Sequence, residues 1–179
     1  MTDADMVCTA VEFDHQDVRS VVVFADMAGF TTYTEAHGDH RAAQLAGAFA
    51  DIAASVLGPG DEIVKTIGDA VMVTCATTAA AVDFLGRLRR ETSRISGFPL
   101  LRAGMSEGPL VKQRGDVFGA TVNTAARLVG VAGPGQVIAD YAAVSAAEPI
   151  GSLRTAPLGS LRLHNINLPV QAYLVEIES

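Results

Sequence analysis

Residues 63–73, IVKTIGDAVMV, set a lysine, a tight bend and a carboxylate between two apolar runs. Ile63, Val64 and Ile67 on one side and Val71, Met72 and Val73 on the other read as two short strands, with Gly68 and Asp69 supplying the turn. The expectation is a β-hairpin with Asp69 at its bend. Upstream, the run SVVVFAD of residues 20–26 ends in Asp26 and is too continuously apolar for a half-exposed strand, so it reads as a buried central strand with a carboxylate at its mouth. An aspartate in a turn or at a strand end is, taken alone, a turn or capping residue. Two of them at neighbouring strand ends make a candidate divalent-metal site of hard oxygen ligands, of the kind that holds magnesium against phosphates.

Composition narrows the setting of that site. The 179-residue chain, 49% hydrophobic, suffices for one core and is expected to form one domain, residues 18–179, behind a loose acidic arm of residues 1–17. A net charge of −7 argues against nucleic acid or anionic membrane as partner, so any phosphate must be held by local cations and metal. Two cysteines, Cys8 and Cys75, make no disulfide framework and no metal spacing, and Cys75 reads as a small buried hydrophobe. With no signal-peptide pattern and no apolar run near the ~20 residues that cross a bilayer, the expected location is the cytoplasm.

Outward from the two aspartates, residues 27–34, MAGFTTYT, suit a turn that presents backbone N–H groups to an anion and leads into a helix. Leu45, Phe49, Ile52 and Val56 place an amphipathic helix over residues 40–57, ended by Gly58, Pro59 and Gly60. A second helix spans residues 77–96, with Ala81, Leu85 and Leu88 inward and Arg87, Arg89, Arg90 and Arg94 forming a solvated face. LLRAGMSEG, residues 100–108, reads as a strand carrying Arg102, and residues 111–115 as a short basic connection. The resulting βαββαβ order predicts an α+β, ferredoxin-like core with helices on one face. From about Thr121 a further helix puts Asn123 and Arg127 four residues apart on one face, where both can act on one ligand. The remaining segments read as a strand QVIA, a short helix over residues 141–147 and a strand pair around residues 165–169.

FADMAGFTTYT, VKTIGDAVMV, LRAGMSEGPL and GDVFGATVNTAARL, in this order, resemble the catalytic domain of class III nucleotidyl cyclases, from about Val18 to the end of the chain. The resemblance implies an enzyme that converts a nucleoside triphosphate to its 3′,5′-cyclic monophosphate and pyrophosphate. It implies two divalent ions, magnesium or manganese, on Asp26, Asp69 and the Met27 carbonyl, a pair of aspartates that the residues themselves had already marked. It places Ala28, Gly29, Phe30 and Thr31 at the β- and γ-phosphates, Arg102 on the triphosphate, and Asn123 with Arg127 at the ribose and the charge that develops at the α-phosphorus.

Family members that use ATP carry Lys with Asp or Thr where those that use GTP carry Glu with Cys or a similar small residue, and Lys65 and Asp116 fall at these positions. The chemistry agrees, because a lysine donates to adenine N1 and a carboxylate accepts from the 6-amino group, whereas guanine presents the opposite polarity. ATP is the expected substrate. In the family the site forms between two subunits, so a chain that carries both sets of residues implies a homodimer. Two departures stand out. His164 occupies the place of a phosphate-binding lysine, with Arg162 two residues away on the same strand face, and the 111–115 link is short where relatives have a longer arm. The competing readings are a guanylyl or relaxed-specificity cyclase and a nucleotide-binding regulatory module with little turnover. The ~17 residues ahead of the catalytic stretch leave no room for a sensor, so the expectation is either a lone cyclase or a piece of a longer protein whose regulatory domain or protein lies outside this chain.

Overall fold

The run Val21, Val22, Val23, Phe24 and Ala25 is buried on both faces, which requires covering layers above and below the strand that carries it. A computed structural model describes residues 15–147 and 153–177 and provides both layers. In chain order the elements are β1 (Gln16–Met27), α1 (Phe30–His37), α2 (Asp39–Ser55), β2 (Glu62–Ile67), β3 (Ala70–Cys75), α3 (Thr78–Ser93), β4 (Leu101–Gln113), β5 (Asp116–Phe118), α4 (Ala120–Val131), β6 (Val137–Asp140), α5 (Tyr141–Ser145), β7 (Thr155–Leu161) and β8 (Val170–Val175). The arm of residues 1–14 lies outside the described residues. Gln16 and Asp17, expected to belong to it, are already strand, opposite Lys112 and Val111.

The sheet runs β2-β3-β1-β4-β6-β8-β7, with β5 paired to β4. Its first four strands, joined through α1–α2 and α3, are the expected ferredoxin-like unit. Odd-numbered residues of β1 (Val21, Val23, Ala25, Met27) pack with Phe49 and Ala53 of α2 and Phe84, Leu85 and Leu88 of α3. Burying each of these larger side chains contributes about 1.5–3 kcal/mol, an upper estimate because the unfolded chain is itself partly collapsed. Even-numbered Val22 and Phe24 face a second core with Met72, Ala125 and Val129, the last two from α4. Helices therefore cover both faces, where the sequence had placed them on one. The surplus helix α4 needs a second apolar face, and the even residues of β1 supply it.

Backbone close approach decides where α4 lies. A side chain at Gly104 of β4 would put its Cβ 2.3 Å from the Val129 nitrogen and 2.5 Å from the Ala125 oxygen, so the helix rests directly on the strand there. Thr121 Oγ1 donates to the Pro109 carbonyl at 2.8 Å and fastens the first turn of the helix. The expected basic link at residues 111–115 is mostly strand. β4 continues to Gln113, and Arg114 (φ 50°) with Gly115 (φ 78°) makes a tight turn into β5. Among the described residues no helix is long and apolar enough to cross a membrane.

Candidate active site

Asp26 interrupts the buried run of β1 one residue before the strand ends at the buried Met27, and sits opposite Arg102 on β4 and Ala70 on β3. Arg102 donates from Nε (3.0 Å) and Nη2 (2.6 Å) to a single oxygen, Oδ2. The other oxygen, Oδ1, is buried and has no hydrogen-bond partner among the described residues. Asp69 occupies the bend of the β2–β3 hairpin, as expected, and its carbonyl accepts from the Met27 N–H at 3.3 Å, which ties the bend to the end of β1. Burial pushes the Asp26 carboxyl up to about 6; Arg102 opposes this and the neighbouring Asp69 carboxylate adds to it. An orphaned buried carboxylate oxygen beside a second carboxylate is costly unless a cation takes it up, and an all-oxygen donor set is what hard divalent ions select. Among the described residues no third His, Cys, Asp or Glu joins the pair, so an ion held here would take its further ligands from backbone carbonyls, water or phosphate.

Next to this pair the turn expected over residues 28–31 is shorter. Only Ala28 and Gly29 are turn, Phe30 and Thr31 open α1, and the Ala28 N–H, expected at the phosphates, instead donates to the Leu100 carbonyl at 2.8 Å. Gly29 is left-handed (φ 78°) and no side chain caps the helix, so its first N–H groups stay open to an acceptor.

Lys65 reaches its place through a bulge. Strict alternation puts Lys65 on the same face as Ile63, toward α2 and α3. The register shifts between them, so that Ile63 opposes Val73 while Lys65 opposes Met72, a residue of the second core. Val64, the extra residue, packs into that second core and Lys65 stands beside it on the same face. There its Nζ donates to Asp116 Oδ2 at 2.6 Å, and Asp116 Oδ1 accepts from the Val117 N–H at 2.8 Å. The Lys65 hydrogen bond holds the Asp116 carboxyl below the usual carboxylate range.

Asn123 and Arg127 lie on the outer face of α4, both exposed, and neither side chain has a partner among the described residues. His164 is exposed in the turn after β7, and Arg162 lies past the end of that strand rather than on its face. Their loop is anchored by Leu163 against Leu128 of α4 and Ala132 just past its end. Of the arginines read as a solvated face, Arg87 instead donates to the Val56 carbonyl at 2.8 Å and flanks the buried Asp61 carboxylate. Cys75 is buried as expected, and burial raises its thiol pKa. The structure thus joins Asp26 with Asp69 and Arg102, joins Lys65 with Asp116, and leaves Asn123 and Arg127 pointing outward. Neither the bulge at Val64 nor the Asp26–Arg102 pair was visible in the sequence, although an Asp and an Arg at the facing ends of two buried strands were a signal for the second.

The family described as the adenylate and guanylate cyclase catalytic domain matches residues 13–163. The chain belongs to that family. It is 41% identical over 117 residues to the pH-sensitive adenylate cyclase MT1302 of Mycobacterium tuberculosis, covering 65% of this chain and 30% of the relative. To an adenylate cyclase of Streptomyces griseus it is 35% identical over 127 residues, covering 70% of this chain and 32% of the relative. The chain thus spans about a third of the length of these curated relatives. The same fold occurs in the adenylyl cyclase CyaB from P. aeruginosa, with a TM-score of 0.78 and 22% identity over 93% of this chain and 97% of that one. It occurs again in the catalytic core of a rhodopsin-guanylyl cyclase with converted specificity, in complex with ATPalphaS, with a TM-score of 0.76 and 24% identity over 92% and 98% of the two chains.

Proposed function

We propose that this chain is the catalytic unit of an adenylyl cyclase that forms 3′,5′-cyclic AMP and pyrophosphate from ATP, as a homodimer with two divalent ions, magnesium or manganese, at each site. The observation that carries the reading is the buried, unpartnered Oδ1 of Asp26 beside Asp69, at the mouth of a strand that continues into an uncapped helix start. The relatives named adenylate cyclases support it. Asp26, Asp69 and the Met27 carbonyl would hold the ions. When bound, these activate the ribose 3′-hydroxyl and neutralise the triphosphate.

The protein's own groups carry the rest. The 3′-oxygen attacks the α-phosphorus, its proton leaves, and the bond to the bridging oxygen of pyrophosphate breaks. The open amides around Gly29, Phe30 and Thr31 and the Arg102 guanidinium bind the β- and γ-phosphates. Lys65 donates to adenine N1 and Asp116 accepts from the 6-amino group. Asn123 orients the ribose, and Arg127 meets the negative charge that grows at the α-phosphorus. Arg162 and His164 are the side chains of the 162–169 loop offered for the remaining phosphate contact. The outward-pointing Asn123 and Arg127 act on the site of the second subunit, which is why a homodimer is required.

The test is complementation. Asp69→Ala and Arg127→Ala are each expected to be inactive, and an equal mixture to regain roughly a quarter of wild-type cyclic AMP formation, because half of the dimers are hybrids with one intact site. Turnover that survives Asp69→Ala, or a mixture that stays silent, refutes the reading. A parallel assay with GTP reads the base preference.

A further inference from the structure

Two ion pairs join β2 to the β4–β5 hairpin. Lys65 Nζ lies 2.6 Å from Asp116 Oδ2, and Lys112 Nζ lies 2.6 Å from Glu62 Oε2. Their polarity is reversed: β2 offers an anion and then a cation, the hairpin a cation and then an anion. A slip of the hairpin along β2 in one direction therefore brings Lys112 toward Lys65, and in the other brings Asp116 toward Glu62, juxtaposing like charges either way.

The base of the hairpin is laddered to β1, with Lys112 opposite Gln16, but β5 is three residues long and pairs only with β4, so no backbone ladder spans the seam to β2 directly. Between the two pairs lies a cavity of about 210 Å³, walled in part by Val64 and Val117, so the seam is only partly packed. The β1–β4 and β4–β5 ladders carry the hairpin, and across the seam to β2 it is joined by side chains, Asp116 to Lys65 and Lys112 to Glu62 as the second point of attachment.

Resting on the cyclase reading above, we propose that Glu62 and Lys112 are positioning residues for base recognition: they touch no reacting atom and fix the hairpin so that Lys65 and Asp116 present one geometry to the purine. Both side chains are part-exposed, 54% for Glu62 and 36% for Lys112, so their effect is modest and salt-sensitive. Base contacts act equally on bound substrate and transition state, so the loss should appear in KM and leave kcat in place.

The experiment uses Glu62→Lys, Lys112→Glu and the double exchange. It measures ATP and GTP kinetics and amide hydrogen exchange at Val117 and Phe118. Each single variant is expected to raise the KM for ATP about 2- to 5-fold at nearly unchanged kcat, to lower the ATP-to-GTP preference and to speed exchange at the two amides. The double exchange restores the attraction and should bring all of these back to within about 2-fold of wild type. If exchange responds and recovers while KM and base preference stay fixed, the seam is structural only and the positioning role is refuted. Single variants equal to wild type in every readout refute it as well. A wild type that neither binds nor turns over ATP overturns the cyclase reading, and the positioning role falls with it.

Discussion

Arg102 places two of its N–H groups on one oxygen of Asp26 and leaves the other oxygen of that carboxylate buried without a partner. The pair holds an ionised group at the end of a buried strand, yet burial and Asp69 outweigh it, and the Asp26 carboxyl is raised from 3.8 to about 6. Because the folded value lies above the unfolded one, the stabilising contribution is fully present below pH ~4. It is lost as pH rises through about 6.

Metal-free protein therefore carries a strained carboxylate at neutral pH, and Asp26→Asn should relieve it. In chelator at pH 7 the variant is expected to gain about 1–2 kcal/mol, a few degrees in Tm, after allowance for the partial exposure of the site. Near pH 4 the difference should vanish. Manganese should stabilise the wild type and not the variant, because an ion that binds only the folded state adds to its stability. Thermal melts at the two pH values, with and without manganese, check the sign of each effect. A variant less stable than wild type at pH 7 would mean that Arg102 has already compensated the carboxylate.

Gly104 supports a prediction of the opposite kind. Its added Cβ would meet backbone atoms of Val129, Ala125 and Leu128 at 2.3–2.8 Å, and backbone cannot step aside as a flexible side chain does. Gly104→Ala should cost about 1–3 kcal/mol or more in urea unfolding and displace α4, the element that carries Asn123 and Arg127. Activity should fall together with stability. Gly130→Ala, on the same helix with open space around it, should leave both nearly unchanged.

The contrast between these sites shows what a sequence displays. Asp26 and Asp69 were legible because a carboxylate that interrupts an apolar run, or sits in a two-residue turn, is a local signal. The order of β1, β2, β3, α3 and β4 was legible for the same reason, since period and punctuation are local. The second core was not. That β1 is buried on both faces could be read from its unbroken apolar run, but not that α4, nearly a hundred residues later, covers the even face. Lys65 illustrates the limit most sharply. Alternation along β2 sends it to the wrong face, and only the pairing with β3 reveals the extra residue at Val64. Arg162 fails likewise, because nothing local marks Leu161 as the last residue of β7.

The proposed role of Lys65 and Asp116 in base selection has a direct test. Replacing both residues together, Lys65→Glu with Asp116→Cys, removes a donor and an acceptor that match adenine and installs groups of the polarity guanine needs. With each unmatched buried polar group costing roughly 1–3 kcal/mol, the ratio of kcat/KM for ATP over GTP should fall by roughly a hundredfold or more. Rates measured side by side with the two nucleotides decide the matter, and an unchanged ratio would remove these two residues from base recognition.

Arg127 separates catalysis from folding most cleanly. Its side chain is exposed on α4 and engages no described residue, so Arg127→Ala should leave the unfolding free energy of the free protein, measured in urea, within about 0.5 kcal/mol of wild type. If its guanidinium meets charge that exists only in the transition state, kcat should drop by about 10²–10³ while ATP binding changes little. Arg127→Lys keeps the charge but loses the planar two-donor geometry, and should recover only part of the rate. A variant that loses ATP binding and rate in equal measure would instead make Arg127 a ground-state phosphate contact, and the charge that develops at the α-phosphorus would then have to be met by Asn123 and the ions alone.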